Sequence, residues 1–370
     1  MSATNHWSRL PTRRMSRRRV LSTGARVGVG AAGLALVGCG DDDDDDAAAP
    51  ASVAPAPTTP APAAITTVSF ALDWVPNTNH TGFHVAKTRG YYEEEGIEIN
   101  ILPYNNVSPD TLVGAGQADF GISFGTSIPF SVLAGLPIAS VLPILQRPAS
   151  ALVYKPGGDI ASPADLEGKL YAGFGAPYEG PIISSIIEAD GGVGDFDTVT
   201  LNTFAYEAVN GGDADFAWAF VTWEGVDFVL RGEPLGEIHF DDFGFPPWYA
   251  VVLMGNTEWM AANPDAARGF VQATKRGFDD VIADPEGTAD VLVDENSATL
   301  ADARELARAS SRLLADDFML DDGGIFGTQT LERWTDFPRF LFETGGLADE
   351  NGDALTEEPD YNRFFTNRFL

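Results

Sequence analysis

Polar and apolar residues alternate with period two from residue 67 onward. Val68, Phe70 and Leu72 fall on one face and Thr67, Ser69 and Ala71 on the other, the pattern of a strand. Pro76 denies that strand a further ladder donor and Asn77-Thr78-Asn79 supplies turn residues, after which Phe83, Val85 and Ala86 mark a helix. The alternation returns at Ile97-Glu98-Ile99-Asn100-Ile101 and at Val199-Thr200-Leu201, and apolar strands are predicted over Phe120–Phe124 and Phe216–Phe220. A five-residue echo introduces the last two: Gly116-Gln117-Ala118-Asp119-Phe120 recurs 96 residues later as Gly212-Asp213-Ala214-Asp215-Phe216. Further on, Asn263-Pro264 reads as cap and first residue of a helix with Ala267, Phe270, Val271, Thr274, Phe278 and Val281 on one face. Pro285 opens another helix, and Leu306, Leu313 and Leu314 mark a third. Strands alternating with helices predict parallel α/β units, and the echo predicts two similar lobes. About 305 residues suit such a pair better than one core. The expected division is 65–154 with 250–370 for a discontinuous first lobe and 155–249 for the second, with crossings near Tyr154 and Ala250.

Composition changes the picture at the ends. Residues 1–38 hold seven arginines, no acid and a closing Gly/Ala/Val/Leu run, the layout of an export signal. Ser16-Arg17-Arg18-Arg19-Val20-Leu21 matches the twin-arginine pattern. The run ends in Leu36-Val37-Gly38-Cys39, which resembles a lipoprotein lipobox, so Cys39 is the expected lipidation site and lipid the expected membrane anchor. Cys39 is the single cysteine, which excludes intrachain disulfides and thiolate metal clusters. Asp41 to Asp46 and an Ala/Pro/Thr tract to residue 64 predict an extended, disordered tether (39–64). Without the signal, 16 basic side chains face 54 acids, a net charge near −38. A surface of that charge repels nucleic acid and anionic headgroups.

Two such lobes would bring the C-terminal ends of their strands around a shared crevice, where open α/β sheets bind ligands. The loops expected there are Asp73 to His80, Ser123 to Ser127, Gly175 to Glu179 and Trp218 to Glu224. Trp74, Tyr178, Trp218, Phe220 and Trp223 can stack on a flat ring, while Asn77, Glu179 and Glu224 can bond ring nitrogens and amino groups. Core packing competes for these aromatics and is expected to claim about half of them. His80 has a capping or ligand-contact role, and Tyr249, beside the second crossing, counts among the expected contacts. His80 and His84 stand four apart, but His80 precedes the helix, so no metal site is expected. No activated nucleophile accompanies the stacking groups, so neither an enzyme nor a cofactor is expected. Gly173-Phe174-Gly175 lacks the spacing of a phosphate loop.

The run Leu72-Asp73-Trp74-Val75-Pro76-Asn77-Thr78-Asn79-His80-Thr81-Gly82-Phe83, followed by Gly90-Tyr91-Tyr92-Glu93-Glu94-Glu95-Gly96-Ile97, resembles the thiamine-pyrimidine superfamily of solute-binding proteins and synthases. The similarity extends over roughly residues 66–345, through Gly175-Ala176-Pro177-Tyr178-Glu179 and Asp190-Gly191-Gly192. It implies an α/β, two-lobed, type II periplasmic-binding-protein-like clamshell that holds an aminopyrimidine, stacked on aromatics and read by a carboxylate, for delivery to an ABC permease. Trp74 and Asn77 would then be first-lobe contacts and Glu179 the carboxylate. Synthases of this superfamily need a lysine and a histidine after the strand matching Phe120-Gly121-Ile122, and a cysteine-rich segment. Ser123 and Ser127 stand at those places here, so the resemblance implies a binder. Other members bind riboflavin, alkanesulfonates or nitrate, and fold alone does not separate them.

Overall fold

The computed structural model describes residues 65–370. The export signal, Cys39 and the tether lie outside them. Among the described residues no helix is long and apolar enough to cross a membrane.

The strands are β1 (Thr66–Ala71), β2 (Ile97–Leu102), β3 (Phe120–Phe124), β4 (Ile138–Pro143), β5 (Ser150–Tyr154), β6 (Leu170–Gly173), β7 (Asp197–Thr200), β8 (Phe216–Phe220), β9 (Gly236–His239) and β10 (Val251–Asn256). The longer helices are α1 (Thr81–Thr88), α2 (Glu179–Ala189), α3 (Pro264–Ala283), α4 (Pro285–Glu295), α5 (Arg304–Asp317) and α6 (Leu331–Glu343). They form an α/β molecule with two mixed sheets of matching plan, ordered β2-β1-β3-β10-β4 and β7-β6-β8-β5-β9. In each sheet three strands run parallel, and a fourth pairs antiparallel on both its sides.

The sequence echo is a repeated piece of geometry. Asp119 donates its N–H to Ser69 O at 2.9 Å and accepts the Ser69 N–H on Oδ2 at 2.8 Å. Asp215 does the same with Leu170, at 2.9 and 2.8 Å. Each aspartate thus extends the ladder by one side-chain rung and fixes the register, Phe70 against Phe120 and Tyr171 against Phe216. Gly116 and Gly212, at φ +68° and +85°, close the helical turns that precede the aspartates.

Two expectations need correction. Residues 150–154, assigned to the first lobe, form strand β5, which hydrogen-bonds within the second sheet and is the counterpart of β10. The first crossing therefore lies between Pro143 and Ser150. A boundary drawn from the chain's spacing carries no information about which sheet receives the residues beside it. Asn263 does precede α3 and Pro264 is its first residue, but the Asn263 side chain turns back to donate to Trp259 O at 3.0 Å and caps nothing. The predicted apolar face of α3 is buried in full, Phe270 and Phe278 among it.

The first sheet closes its core with Val68, Phe70, Phe120 and Ile122 against Phe83 of α1 and Phe270 of α3. Gly82 and Gly277 let the backbones of α1 and α3 approach each other closely, since a Cβ at Gly277 would collide with the Gly82 carbonyl. Helix α6 serves both lobes: Trp334 packs with Val252 and Met254 of the first sheet, while Phe337 and Leu341 cover Trp218 and Phe240 of the second. The C-terminal segment then returns to β4, where Phe365 bridges Ser140.

Candidate functional site

The loops that leave β1, β3, β6 and β8 at their C-terminal ends meet around one cavity of about 430 Å³. All four loops expected in the crevice contribute to its wall.

The loop after β1 carries Asp73, Trp74 and Asn77. Asn77 is a buried N-cap whose Oδ1 accepts the Asn79 N–H at 2.9 Å, while its own N–H donates to His80 Nδ1 at 3.3 Å. Since Nδ1 accepts, the ring proton sits on Nε2 and is donated to Asp73 Oδ1 at 2.7 Å. His80 is wholly buried and is not among the residues that line this cavity; it stands behind Asp73 and orients it. Trp74 is half-buried and reaches towards the second lobe, with its ring 5.6 Å from Phe174, edge to face, and 5.5 Å from Tyr104.

From β3 come Phe124, Thr126 and Ser127. Ser127 and Ser131 donate to Asp110 Oδ2 at 2.8 and 2.6 Å, so a buried acid at the start of the short helix Pro109–Gly114 is held by hydroxyls. Burial raises the Asp110 carboxyl above the usual range, against the pull of those donors.

The loop after β6 gives Phe174 through Glu179. Glu179, first residue of α2, folds its carboxylate back onto its own loop and accepts N–H groups from Phe174 (3.1 and 3.2 Å), Gly175 (3.3 Å) and Ala176 (3.3 Å). Burial lifts its pKa while those donors hold it down. Its oxygens border the cavity but are already committed to bracing the loop, a different task from the one the sequence suggested.

Beyond β8 the chain makes a five-residue π-turn, Val221–Gly225, which separates the fates of neighbouring residues. Trp223 lines the cavity yet is 4 % exposed, packed among Ala289, Leu292 and Val293 of α4 and Ala303 and Ala307 around α5. Glu224 presents Oε2 with no hydrogen-bond partner at all. Burial pushes its pKa to about 8, its own and Phe220 backbone donors oppose that, and Asp227 and Asp73 add to it. Trp218 and Tyr178 meet edge to face at 5.7 Å.

The cavity thus gathers Trp74, Asn77, Tyr178, Glu179, Trp218, Trp223 and Glu224. It leaves out His80 and Tyr249. Tyr249 is buried beside Trp334, 5.5 Å between rings, with its hydroxyl accepting the Thr330 N–H at 3.0 Å; its neighbour Trp248 lines the cavity instead. His80 and His84 do not converge either, because His84 turns Nε2 to Asn296 at 3.3 Å and burial lowers its pKa to about 4. Asp110, Tyr104 and Tyr206 line the cavity and escaped the sequence reading, while Asp73 was expected there only as the start of its loop, with no role of its own. Asp110 sits one residue after Pro109 and looked like any acid in a first helical turn, and the two tyrosines stand outside any periodic run. Asp73 lay inside the strongest motif and needed only its histidine partner to be recognised.

A family model described as NMT1/THI5 like matches residues 77–288. The chain belongs to the NMT1/THI5-like family. A formylaminopyrimidine-binding protein of Halalkalibacterium halodurans is 27% identical over 305 residues, covering 80% of this chain and 92% of that protein. A 4-amino-5-hydroxymethyl-2-methylpyrimidine phosphate synthase of Saccharomyces cerevisiae is 26% identical over 231 residues, covering 59% and 68%. Among solved structures, the alkanesulfonate-binding protein of Xanthomonas axonopodis aligns with a TM-score of 0.58 at 13% identity, covering 78% of this chain and 96% of that one. A Candida albicans protein described as having the generic periplasmic binding protein fold aligns at 0.58 and 16%, covering 82% and 97%. This NMT1/THI5-like chain has that fold, with two five-stranded mixed sheets of matching plan. Family membership spans binders and synthases, so the cavity has to separate them.

Proposed function

We propose that this protein is an extracytoplasmic receptor that captures a thiamine-related aminopyrimidine, such as a formylaminopyrimidine, and hands it to an ABC importer. On this reading Cys39 carries a lipid anchor, the tether holds the lobes at the membrane, and no reaction is catalysed. The observation that carries it is the chemistry of the cavity wall: aromatic faces, four carboxylates and, among the described residues, no Lys, Arg or His. A planar ring rich in N–H donors is complementary to such a wall, whereas nitrate or a sulfonate would find no cationic side chain there to pair with. Similarity to the formylaminopyrimidine-binding protein over most of both chains supports the same ligand class. Ser123 and Ser127, where the synthases are expected to carry lysine and histidine, support binding over synthesis. Glu224, with its unpartnered oxygen, is a better reader of the ring than the committed Glu179.

Titration calorimetry on the purified protein tests the reading. A formylaminopyrimidine should bind while an alkanesulfonate and nitrate give no heat. Tight sulfonate binding with no pyrimidine binding would overturn it.

A further inference from the structure

The four carboxylates of the cavity differ in what they have left to offer. Asp110 is held by two serine hydroxyls and Glu179 by backbone N–H groups. Glu224 keeps Oε2 unpartnered. Asp73 gives Oδ1 to the buried His80, and its Oδ2 has no partner among the described residues. Asp73, on the loop after β1, and Glu224, on the turn after β8, thus each keep an oxygen open to a ligand, one from each lobe. Their surroundings differ as well. Asp73 is flanked by Trp74 and is pinned from behind by the Asn77–His80 relay, in which the Asn77 N–H meets His80 Nδ1 and His80 Nε2 meets Asp73 Oδ1. Trp74 and Tyr104 also line the cavity, their rings 5.5 Å apart, and aromatic rings attract a cation placed over their faces.

We propose that the preferred ligand carries two donor ends, with the pyrimidine's amino edge bonded to Glu224 and a positively charged amine on its side arm bonded to Asp73. This deepens the proposed function and rests on it. A primary amine is charged at neutral pH and an N-formyl amide is not, so the pocket should discriminate between two ligands of nearly the same shape. Asp73 is then the residue that sets specificity, and His80 positions it.

The test is calorimetry with 4-amino-5-aminomethyl-2-methylpyrimidine and its N-formyl derivative on the native protein and on D73N and E224Q. The amide oxygen introduced by D73N can still accept the His80 proton, so this variant should fold, as its melting temperature will report. The native protein should bind the amine at least about tenfold tighter than the formyl compound, the range of a hydrogen bond between charged groups. D73N should erase that preference, bringing the two ligands to similar affinities, while E224Q should weaken both ligands together and keep the preference. Equal native affinities, or a preference for the amine that survives in D73N, would overturn the assignment of Asp73 while leaving the pyrimidine reading standing. If neither pyrimidine binds the native protein, the proposed function fails and this inference with it.

Discussion

Glu224 is the residue whose chemistry the fold alters most visibly. Its carboxyl moves from an ordinary value of 4.5 to about 8 because burial penalises the charged form. An acid whose pKa is raised by folding holds its proton in the folded chain and releases it in the unfolded one between those two values. Folding is therefore favoured on the acid side, and stability falls as pH rises from about 5 to 8. E224Q removes this dependence. Melting temperatures of both proteins across that range should converge at pH 5 and separate by pH 8, with the variant the more stable; parallel curves would show that Glu224 does not titrate there. Glu179 illustrates the limit of reading a site residue by type. Its position at the head of α2 was legible from Pro177-Tyr178-Glu179, but its engagement by three consecutive backbone N–H donors depends on how the Gly173–Ala176 loop folds back, which no sequence spacing reveals.

At the level of elements, the strands and helices that hold the site were written in the pattern: β1, β2, β3, β8 and the buried face of α3 follow from alternation, turn residues and 3.6-residue spacing. What the pattern withheld were contacts between elements distant in sequence. The sequence placed Trp74 and Trp223 together as stacking residues, and the fold separates them. Trp223 is locked by the π-turn against α4 and α5, while Trp74 stays half-buried at the cavity mouth. Trp223→Ala should accordingly cost the empty protein about 3–5 kcal/mol, the range for deleting a buried tryptophan. Trp74→Ala should move the melting temperature far less and act chiefly on ligand affinity. Denaturant melts of the two variants, beside binding titrations, check this; an undisturbed melt for Trp223→Ala would mean that its socket between α4 and α5 contributes little. Asp119 and Asp215 make the complementary case, since a five-residue echo pointed to two lobes and the structure explains it as one repeated side-chain rung.

For the whole molecule, a ligand touching both lobes shifts the balance of open and closed forms only as far as it prefers one of them. Asp73 and Glu224 reach the cavity from different lobes, so a ligand engaging both should compact the protein, read as a fall in radius of gyration in solution scattering. Identical profiles with and without saturating aminopyrimidine would rule out closure. The interleaved strand order has a further consequence for how the chain is made. In the first sheet β4 lies between β10 and the bridge to Phe365, both later in the chain, and β4 is buried at every position. On a ribosome that strand emerges more than a hundred residues before its neighbour. The strands of the second sheet all fall between Ser150 and His239, so that sheet has every strand in hand while β4 still waits. The lobe begun first is the one finished last, and throughout that interval an apolar strand must be kept from pairing with other chains.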